Sequence, residues 1–279
     1  MSQPANPVPG GIDGKTRVVV HLAWPSAHLR TSTFFNPRCR ELGLNAVLVP
    51  WAVKPERLAD AWQGLRHVEN LAGVILTLPH KQAAAPLCDA LEGDAVDLGV
   101  VNVARRDGEG RFTGRMYDGE GMVQGMLRQG VDPAGKRTLL LGAGGAATAI
   151  AFSLARAGVS SLSIANRSAG RAQALAARVG ARVPGVPVQA AGNDPAGYEL
   201  VVNATSLGLR PDDPMPCDPA RLDPGATVAE VVMQPAETPL LIAARERGAR
   251  VHKGEHMITA QMDLLIGFLL GEPGGAPQG

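Results

Sequence analysis

Short apolar runs alternate with helically spaced ones along most of this chain, and the alternation predicts a βα series feeding a mostly parallel sheet. Residues 17–23 (RVVVHLA) are rich in β-branched side chains and predict a strand, followed by a helix over 34–42 and a second strand, of the buried type, over 46–51. Helical spacing over 55–65, a strand over 73–78 that stops at Pro79, and helical spacing again over 81–92 continue the series. Two strands over 100–105 and 111–116 flank the turn DGEG. Further along, a helix over 119–129, strands over 138–141, 161–165, 200–203, 227–232 and 250–252, and helices over 239–247 and 257–270 complete the pattern. Residues 210–224 are too rich in Pro and Asp to be regular, and no internal repeat is visible.

The chemistry is densest in 137–171. The apolar run 138–141 ends on Gly142, and an Ala-rich helical pattern follows at once, which is the strand, tight turn and helix of a dinucleotide site. Gly142 permits the turn, Gly144 lets the backbone approach a pyrophosphate beside Gly145 and Ala146, and Ala147 replaces the third glycine where helix packs on strand. The free amides of the helix N-terminus face the phosphates. After the second strand, where an acid would take the ribose 2′-hydroxyl of NAD, the chain reads Asn166, Arg167, Ser168 and, one turn on, Arg171. Two guanidinium groups and a hydroxyl suit a 2′-phosphate, so NADP (NADPH) is the expected cofactor and NAD the less favoured one. Asn203, Thr205 and Ser206 form a polar turn at a strand end on the expected nicotinamide side.

Composition narrows the partner. With 279 residues, 45% hydrophobic and 19% charged, the chain can bury one large or two medium cores. A net charge of +1 without a basic run gives nucleic acid and anionic membrane no foothold, so a small molecule is the expected partner. Cys39, Cys88 and Cys217 share no CxxC spacing and form no even set, which fits a reducing cytoplasm and no metal. The start, MSQPANPVPGGIDGK, has no signal-peptide character, and no apolar run reaches the roughly 18 residues of a membrane span. A cytoplasmic monomer or homodimer is expected.

Six ordered stretches carry a family resemblance: LTLPHK at 76–81, GVVNVARRDGEGRFTGRMYDGEG at 99–121, LGAGGAA at 141–147, NRS at 166–168, NATSLGL at 203–209, and PAETPLL followed by GEHMITAQ. Together they resemble the shikimate dehydrogenase family, which includes quinate/shikimate dehydrogenases, and the likeness runs from about Pro25 to about Gln261. The resemblance implies a two-domain enzyme of aromatic amino acid biosynthesis or related metabolism, using NADP to interconvert a ring hydroxyl and a ketone of a cyclic hydroxy acid. It implies Lys81 and Asp118 as a catalytic pair, with Thr77, Asn102 and Gln261 holding ring hydroxyls. Such a pair is chemically apt, because hydride leaves a carbinol carbon only as its hydroxyl proton is removed. A lysine ammonium keeps its proton at neutral pH unless desolvated, so the pair acts through proton transfer or as an electrostatic clamp on the developing alkoxide.

The fold class expected is α/β in two domains: residues 16–118 with 255–271 as an α/β substrate domain with a mostly parallel sheet, and 119–254 as a Rossmann NADP-binding domain. The last helix returns to the N-terminal domain, and flexible tails occupy 1–15 and 272–279. Two departures from the family pattern concern substrate recognition. Where family members carry two serines that hold the substrate carboxylate, this chain reads PSAHLRTSTFFN, with Leu29 at the first serine, Thr31 at the second, Ser32 at a proline and Phe35 at a histidine. A substrate-side tyrosine falls on Met233, and the NTDG turn reads MYDG, so Met116, Tyr117 and Met233 are expected to make a roomier, more apolar pocket. Either Arg30, Ser32 or Thr33 compensates for Leu29, or the substrate differs. Two alternatives therefore stand beside the leading reading: an NADPH-binding regulator without turnover, and a dehydrogenase for another cyclic polyol. His28, His80 and His256 lack metal-ligand spacing and are expected to serve packing or hydrogen bonding.

Overall fold

A computed structural model describes residues 11–271 apart from His28 and Leu78. The expected tails over 1–10 and 272–279 lie outside the described residues. Within the remainder of the first expected tail, Asp13 accepts from the amide of Asn45 at 3.0 Å and from the hydroxyl of Thr16 at 3.1 Å, so the chain is tied down from there. Two compact units follow: Met1–Tyr117 with Met262–Gly279, and Asp118–Gln261.

The first unit contains β1 (Arg17–Ala23), α1 (Thr31–Glu41), β2 (Ala46–Ala52), α2 (Leu58–Arg66), β3 (Leu71–Leu76), α3 (His80–Ala84), β4 (Ala90–Leu91), α4 (Asp94–Leu98), β5 (Val103–Arg106) and β6 (Phe112–Arg115). Its six strands lie in the order β2-β1-β3-β5-β6-β4. The β1 pairings with β2 and β3 are parallel, while β3–β5 and β5–β6 are antiparallel around the DGEG turn. The core gathers Val19, Leu22, Val74 and Leu76 from the sheet with Phe35, Trp62 and Leu65 from the helices. Trp62 and Phe112 meet at a centroid distance of 4.6 Å.

The second unit contains α5 (Asp118–Arg128), β7 (Arg137–Leu141), α6 (Gly145–Arg156), β8 (Ser161–Ala165), α7 (Ala169–Arg182), β9 (Val188–Ala190), β10 (Leu200–Asn203), β11 (Thr227–Glu230), α8 (Pro239–Glu246), β12 (Arg250–His252) and α9 (Gly254–Leu270). The strand order is β12-β11-β10-β7-β8-β9, parallel throughout, the doubly wound arrangement of a nucleotide-binding sheet. Leu139, Val201 and Val228 bury one face against Leu240 and Leu241 of α8. Helix α9 is shared: its residues up to Gln261 group with this unit and those from Met262 with the first.

Several elements differ from the sequence pattern. The apolar run of β2 reads as a buried strand, yet β2 is the sheet edge, with Leu48 its one buried residue and Val49, Pro50, Trp51 and Ala52 exposed. Helical spacing over 81–92 gives α3 only to Ala84, because Pro86 has no N–H to continue the ladder; a 3-10 turn, Ala85–Leu87, and the short β4 replace the rest. Helix α4, closed by Gly99 at φ +64°, and the three-residue β9 are too short to show a period. The irregular 210–224 stretch holds one 3-10 turn, Pro219–Arg221.

Helix α5 is packed through glycines. A Cβ on Gly119 would lie 2.2 Å from the Ala149 carbonyl oxygen of α6, and one on Gly125 would lie 2.7 Å from the His256 carbonyl oxygen of α9. No side chain fits between these backbones, so the helices touch directly. The Gly125→Ala variant should therefore lose about 2–4 kcal/mol of stability, read as a lower denaturant midpoint at unchanged slope.

His252 ends β12 with no exposed surface. Burial pushes its ring down to about 4 from an ordinary 6.5, with the carbonyl of Gly125 pulling the other way. The folded state thus holds the ring neutral, while the unfolded chain binds its proton once the pH falls below 6.5. Stability from this residue is complete above that pH and is lost as the pH falls toward 4. The loss of unfolding free energy between pH 7.5 and 4.5 should be smaller in a His252→Leu variant than in the wild type by roughly 2–3 kcal/mol, measured by denaturant titration at each pH.

Candidate active site

In the first unit, three of the residues singled out by sequence are drawn together by main-chain bonds. Leu76 at the end of β3 donates its N–H to the Asn102 carbonyl at 2.8 Å, the adjacent Thr77 donates to Leu22 at the end of β1 at 3.2 Å, and Val101 donates to the Lys81 carbonyl at 3.0 Å. Thr77 also accepts from the His80 amide at 2.8 Å, which opens α3 and places Lys81 in its first turn. Asn102 is buried, and its Oδ1 accepts from the Tyr117 N–H at 2.9 Å, while Lys81 and Thr77 are half-buried. His80 is structural as expected: its Nε2 sits 2.9 Å from the Val53 carbonyl. His28 lies outside the described residues.

Thr31 opens α1, half-buried. Nearby, Arg30 donates through Nη1 to the carbonyls of Ala27 and Leu29 at 3.3 and 3.1 Å, and the Thr33 hydroxyl donates to the Arg30 carbonyl at 2.7 Å. Two of the three side chains expected to compensate for Leu29 are thus engaged with local backbone.

Tyr117 packs within its own unit. It is buried, its ring meets Phe268 edge-on at a centroid distance of 6.0 Å, and its hydroxyl accepts from Arg115 Nη1 at 2.9 Å. Arg115 is in turn held by Glu92 at 2.9 Å. Met116 beside it is buried too, and Met233 is half-buried.

In the second unit, Asp118 begins α5 and is 4% exposed. Its Oδ1 accepts from Gln261 Nε2 of α9 at 3.0 Å, and Gln261 is 4% exposed as well. The glycine packing makes this meeting possible: a Cβ on Gly121 would stand 3.1 Å from that of Gln261 and 3.2 Å from the Met257 carbonyl. The two residues named from sequence as catalytic and substrate-binding are directly bonded, within one unit.

The glycine turn also has the geometry a diphosphate needs. Gly142 adopts φ +116°, closed to most side chains, and a Cβ there would lie 2.9 Å from the Ala204 carbonyl oxygen. Gly144 and Gly145 face open space, with no atom within 4 Å of where a Cβ would stand. Helix α6 starts at Gly145, beside Ala146, with no side-chain cap, so its leading amides stay available to an anion. At the end of β8, Asn166 donates to the Ser168 carbonyl at 3.1 Å, and Arg167, Ser168 and Arg171 are exposed at the start of α7. These residues fit NADP, with the guanidinium groups available for a 2′-phosphate.

Across the sheet, Asn203 ends β10 fully buried, Thr205 is half-buried and Ser206 exposed. The turn is built from side chains: Asn203 Oδ1 accepts from the Thr205 N–H at 3.1 Å and its hydroxyl at 2.6 Å, and Asp213 Oδ2 accepts from the amides of Gly208 and Arg210, both at 3.0 Å. Glu230 and Thr238, not singled out from the sequence, stand behind it. The signal available was the acid ending the apolar strand TVAE, a costly place for a charge. Among the described residues no group of three or more His, Cys, Asp or Glu could hold a metal, and no helix is long and apolar enough to cross a membrane.

Comparison with known proteins sets this geometry in a family. Residues 22–104 match the model of the shikimate dehydrogenase substrate binding domain, and residues 127–208 match that of shikimate / quinate 5-dehydrogenase. The NADP(+) shikimate dehydrogenase of Rubrobacter xylanophilus is 39% identical over 254 residues, covering 90% of this chain and 89% of that protein. Among solved structures, shikimate 5-dehydrogenase of Thermus thermophilus in complex with NADP(H) and shikimate superposes with a TM-score of 0.83 at 29% identity, covering 92% of this chain and 95% of that one. The ligand-free 5-ketofructose reductase of a Gluconobacter species superposes with a TM-score of 0.85 at 32% identity, covering 92% and 94%. With both domain models matched in order and a relative of this identity aligned over nearly its whole length, the chain belongs to the shikimate dehydrogenase family.

Proposed function

We propose that this protein is an NADP-dependent dehydrogenase that interconverts a ring hydroxyl and a ketone of a shikimate- or quinate-like cyclic hydroxy acid, with Lys81 and Asp118 as its catalytic pair. The observation that carries the reading is the buried Asp118 carboxylate held by Gln261 at the first turn of α5, in a chain whose relatives include NADP(+) shikimate dehydrogenases. A carboxylate so deeply buried and so firmly oriented is suited to grip a polar group of a ligand.

NADP, when bound, supplies the hydride acceptor or donor. Gly142, Gly144, Gly145 and Ala146 would hold its diphosphate through backbone amides, and Asn166, Arg167, Ser168 and Arg171 its adenosine ribose and 2′-phosphate. Asn203, Thr205 and Ser206 would border the nicotinamide end. Lys81 would hold the substrate hydroxyl, taking its proton on oxidation and returning one to the carbonyl oxygen on reduction, with its charge facing the alkoxide that develops. Asp118 would accept a hydrogen bond from the same ring and keep the ammonium in place, while Thr77, Asn102 and Gln261 orient neighbouring hydroxyls and Thr31 donates one bond to the carboxylate.

A second reading keeps the chemistry and changes the substrate to a neutral cyclic polyol or its ketone. It is supported by Leu29, which carries no donor where the family pattern has a serine, by the Thr33 hydroxyl being engaged with the Arg30 carbonyl, and by the similarity to a 5-ketofructose reductase. An unmatched carboxylate in a partly dry pocket costs on the order of 1–3 kcal/mol, enough to choose between the two classes.

A panel of shikimate, quinate and uncharged cyclic polyols, assayed with NADP and with NAD, separates these readings. Oxidation of the acids supports the first, oxidation of the neutral members alone moves the assignment to the second, and oxidation of none sinks both. On whichever substrate works, Lys81→Ala should cut kcat by roughly a thousandfold while the NADPH Kd stays within about twofold; unchanged turnover removes the lysine from the mechanism. The double variant Arg167→Ala, Arg171→Ala should raise the KM for NADP at least roughly tenfold and leave the KM for NAD nearly unchanged, measured by initial rates with each cofactor.

A further inference from the structure

Glu230 closes β11 with no exposed surface, and burial raises its carboxyl above the usual range while the Asn203 amide and the Thr238 hydroxyl pull the other way. An apolar side chain would cost less there. The use of the carboxyl is found in its partner: Glu230 Oε1 accepts from Asn203 Nδ2 at 2.9 Å, between two fully buried side chains at the ends of neighbouring strands.

Through that bond Asn203 is held in one orientation. Its Nδ2 also donates to the Leu207 carbonyl at 3.1 Å, so two acceptors face the same end of the amide, and a flipped amide would set its oxygen against both. The opposite end must then be the oxygen, and it accepts from the N–H and the hydroxyl of Thr205. With its proton directed to Asn203, Thr205 Oγ1 is left to accept from the Leu207 N–H at 3.1 Å. The carboxyl at the base of the 203–207 turn thus acts with the Leu207 carbonyl and the Thr205 N–H to set the direction of the side-chain hydrogen bonds in that turn. This turn forms a wall of the glycine loop: Ala204 donates to the Leu141 carbonyl at 2.8 Å, and a Cβ on Gly142 would stand 3.2 Å from Thr205 Cγ2.

We infer that Glu230 is a positioning residue for the cofactor site, which fixes the amide of Asn203 and thereby the polarity and shape of the 203–207 turn where it meets the glycine loop. The inference rests on the NADP reading of the second unit. Glu230 itself reaches no cofactor and acts through Asn203 and Thr205.

The test uses the full chain and two readouts, the NADPH Kd by fluorescence titration and the Tm without cofactor. Glu230→Gln keeps an oxygen for the Asn203 amide and should bind NADPH within about twofold of the wild type. Glu230→Leu should raise the Kd roughly tenfold, and Thr205→Val, which breaks the same chain at its other end, should do likewise. The two losses belong to one network, so the double variant should bind no more weakly than the weaker single. A Tm that falls in Glu230→Leu with the Kd unchanged, or a Gln variant as impaired as the Leu variant, would overturn the assignment. If Glu230→Leu does not fold, wild-type affinity in Thr205→Val overturns it instead. A wild type that binds NADPH and turns over no panel substrate refutes the proposed reaction and leaves this result standing; one that does not bind NADPH refutes both.

Discussion

Direct contact between helix backbones governs the second unit. Gly119 brings α5 against the Ala149 carbonyl of α6, and Gly121 and Gly125 bring it against Met257 and His256 of α9. That closeness lets two short side chains, the carboxylate of Asp118 and the amide of Gln261, meet at 3.0 Å without exposure to water. Helices separated by ordinary side chains would sit 8–10 Å apart, too far for these groups to bond at the same depth. The glycines therefore serve the candidate site twice, by packing the helices and by setting the depth at which a charged group is held.

Part of each unit's candidate chemistry leaves the C-terminal ends of parallel strands. In the first, β1 and β3 end beside each other, and β3 passes directly to Thr77 and on to Lys81 in α3, with Asn102 fastened to Leu76. In the second, β7 and β8 lead straight into Gly142 and Asn166, and β10 ends at Asn203. Parallel strands point all their carboxyl ends one way, and the loops leaving them share one edge of the sheet, so residues distant in sequence converge without special contacts. Main-chain bonds near the strand ends then fix the rotation of each loop.

Much of this was legible from pattern. The strands at β1, β8, β10 and β12 match the apolar runs residue for residue. The GAGGAA turn and the basic NRS start of α7 could be read locally, since a strand, a turn and a helix follow one another in a fixed frame. What failed was whatever depends on neighbours distant in sequence. The apolar character of β2 says nothing about which strand lies at the edge, and the place of Tyr117 in MYDG says nothing of its contacts with Phe268 and Arg115. The partner of Glu230 is invisible for the same reason: although an acid ending an apolar strand stands out, Asn203 is 27 positions away, on another strand.

The two units differ in how much a substitution costs. Around Gly142, Asn203 and Glu230, a change either puts a Cβ against a carbonyl or orphans a buried polar group, at about 1–3 kcal/mol for each lost partner. Around 29–33 the side chains are half-buried or exposed, α1 begins without a side-chain cap, and replacing one of them breaks no buried bond. Exchanges are therefore cheap only at the second place, where Leu29 precedes α1 and Thr31 opens it, both half-buried. The departures from the family pattern fall where the fold loses least by them, and the glycine turn and the buried Asn203–Glu230 pair, whose replacement would cost most, keep their geometry.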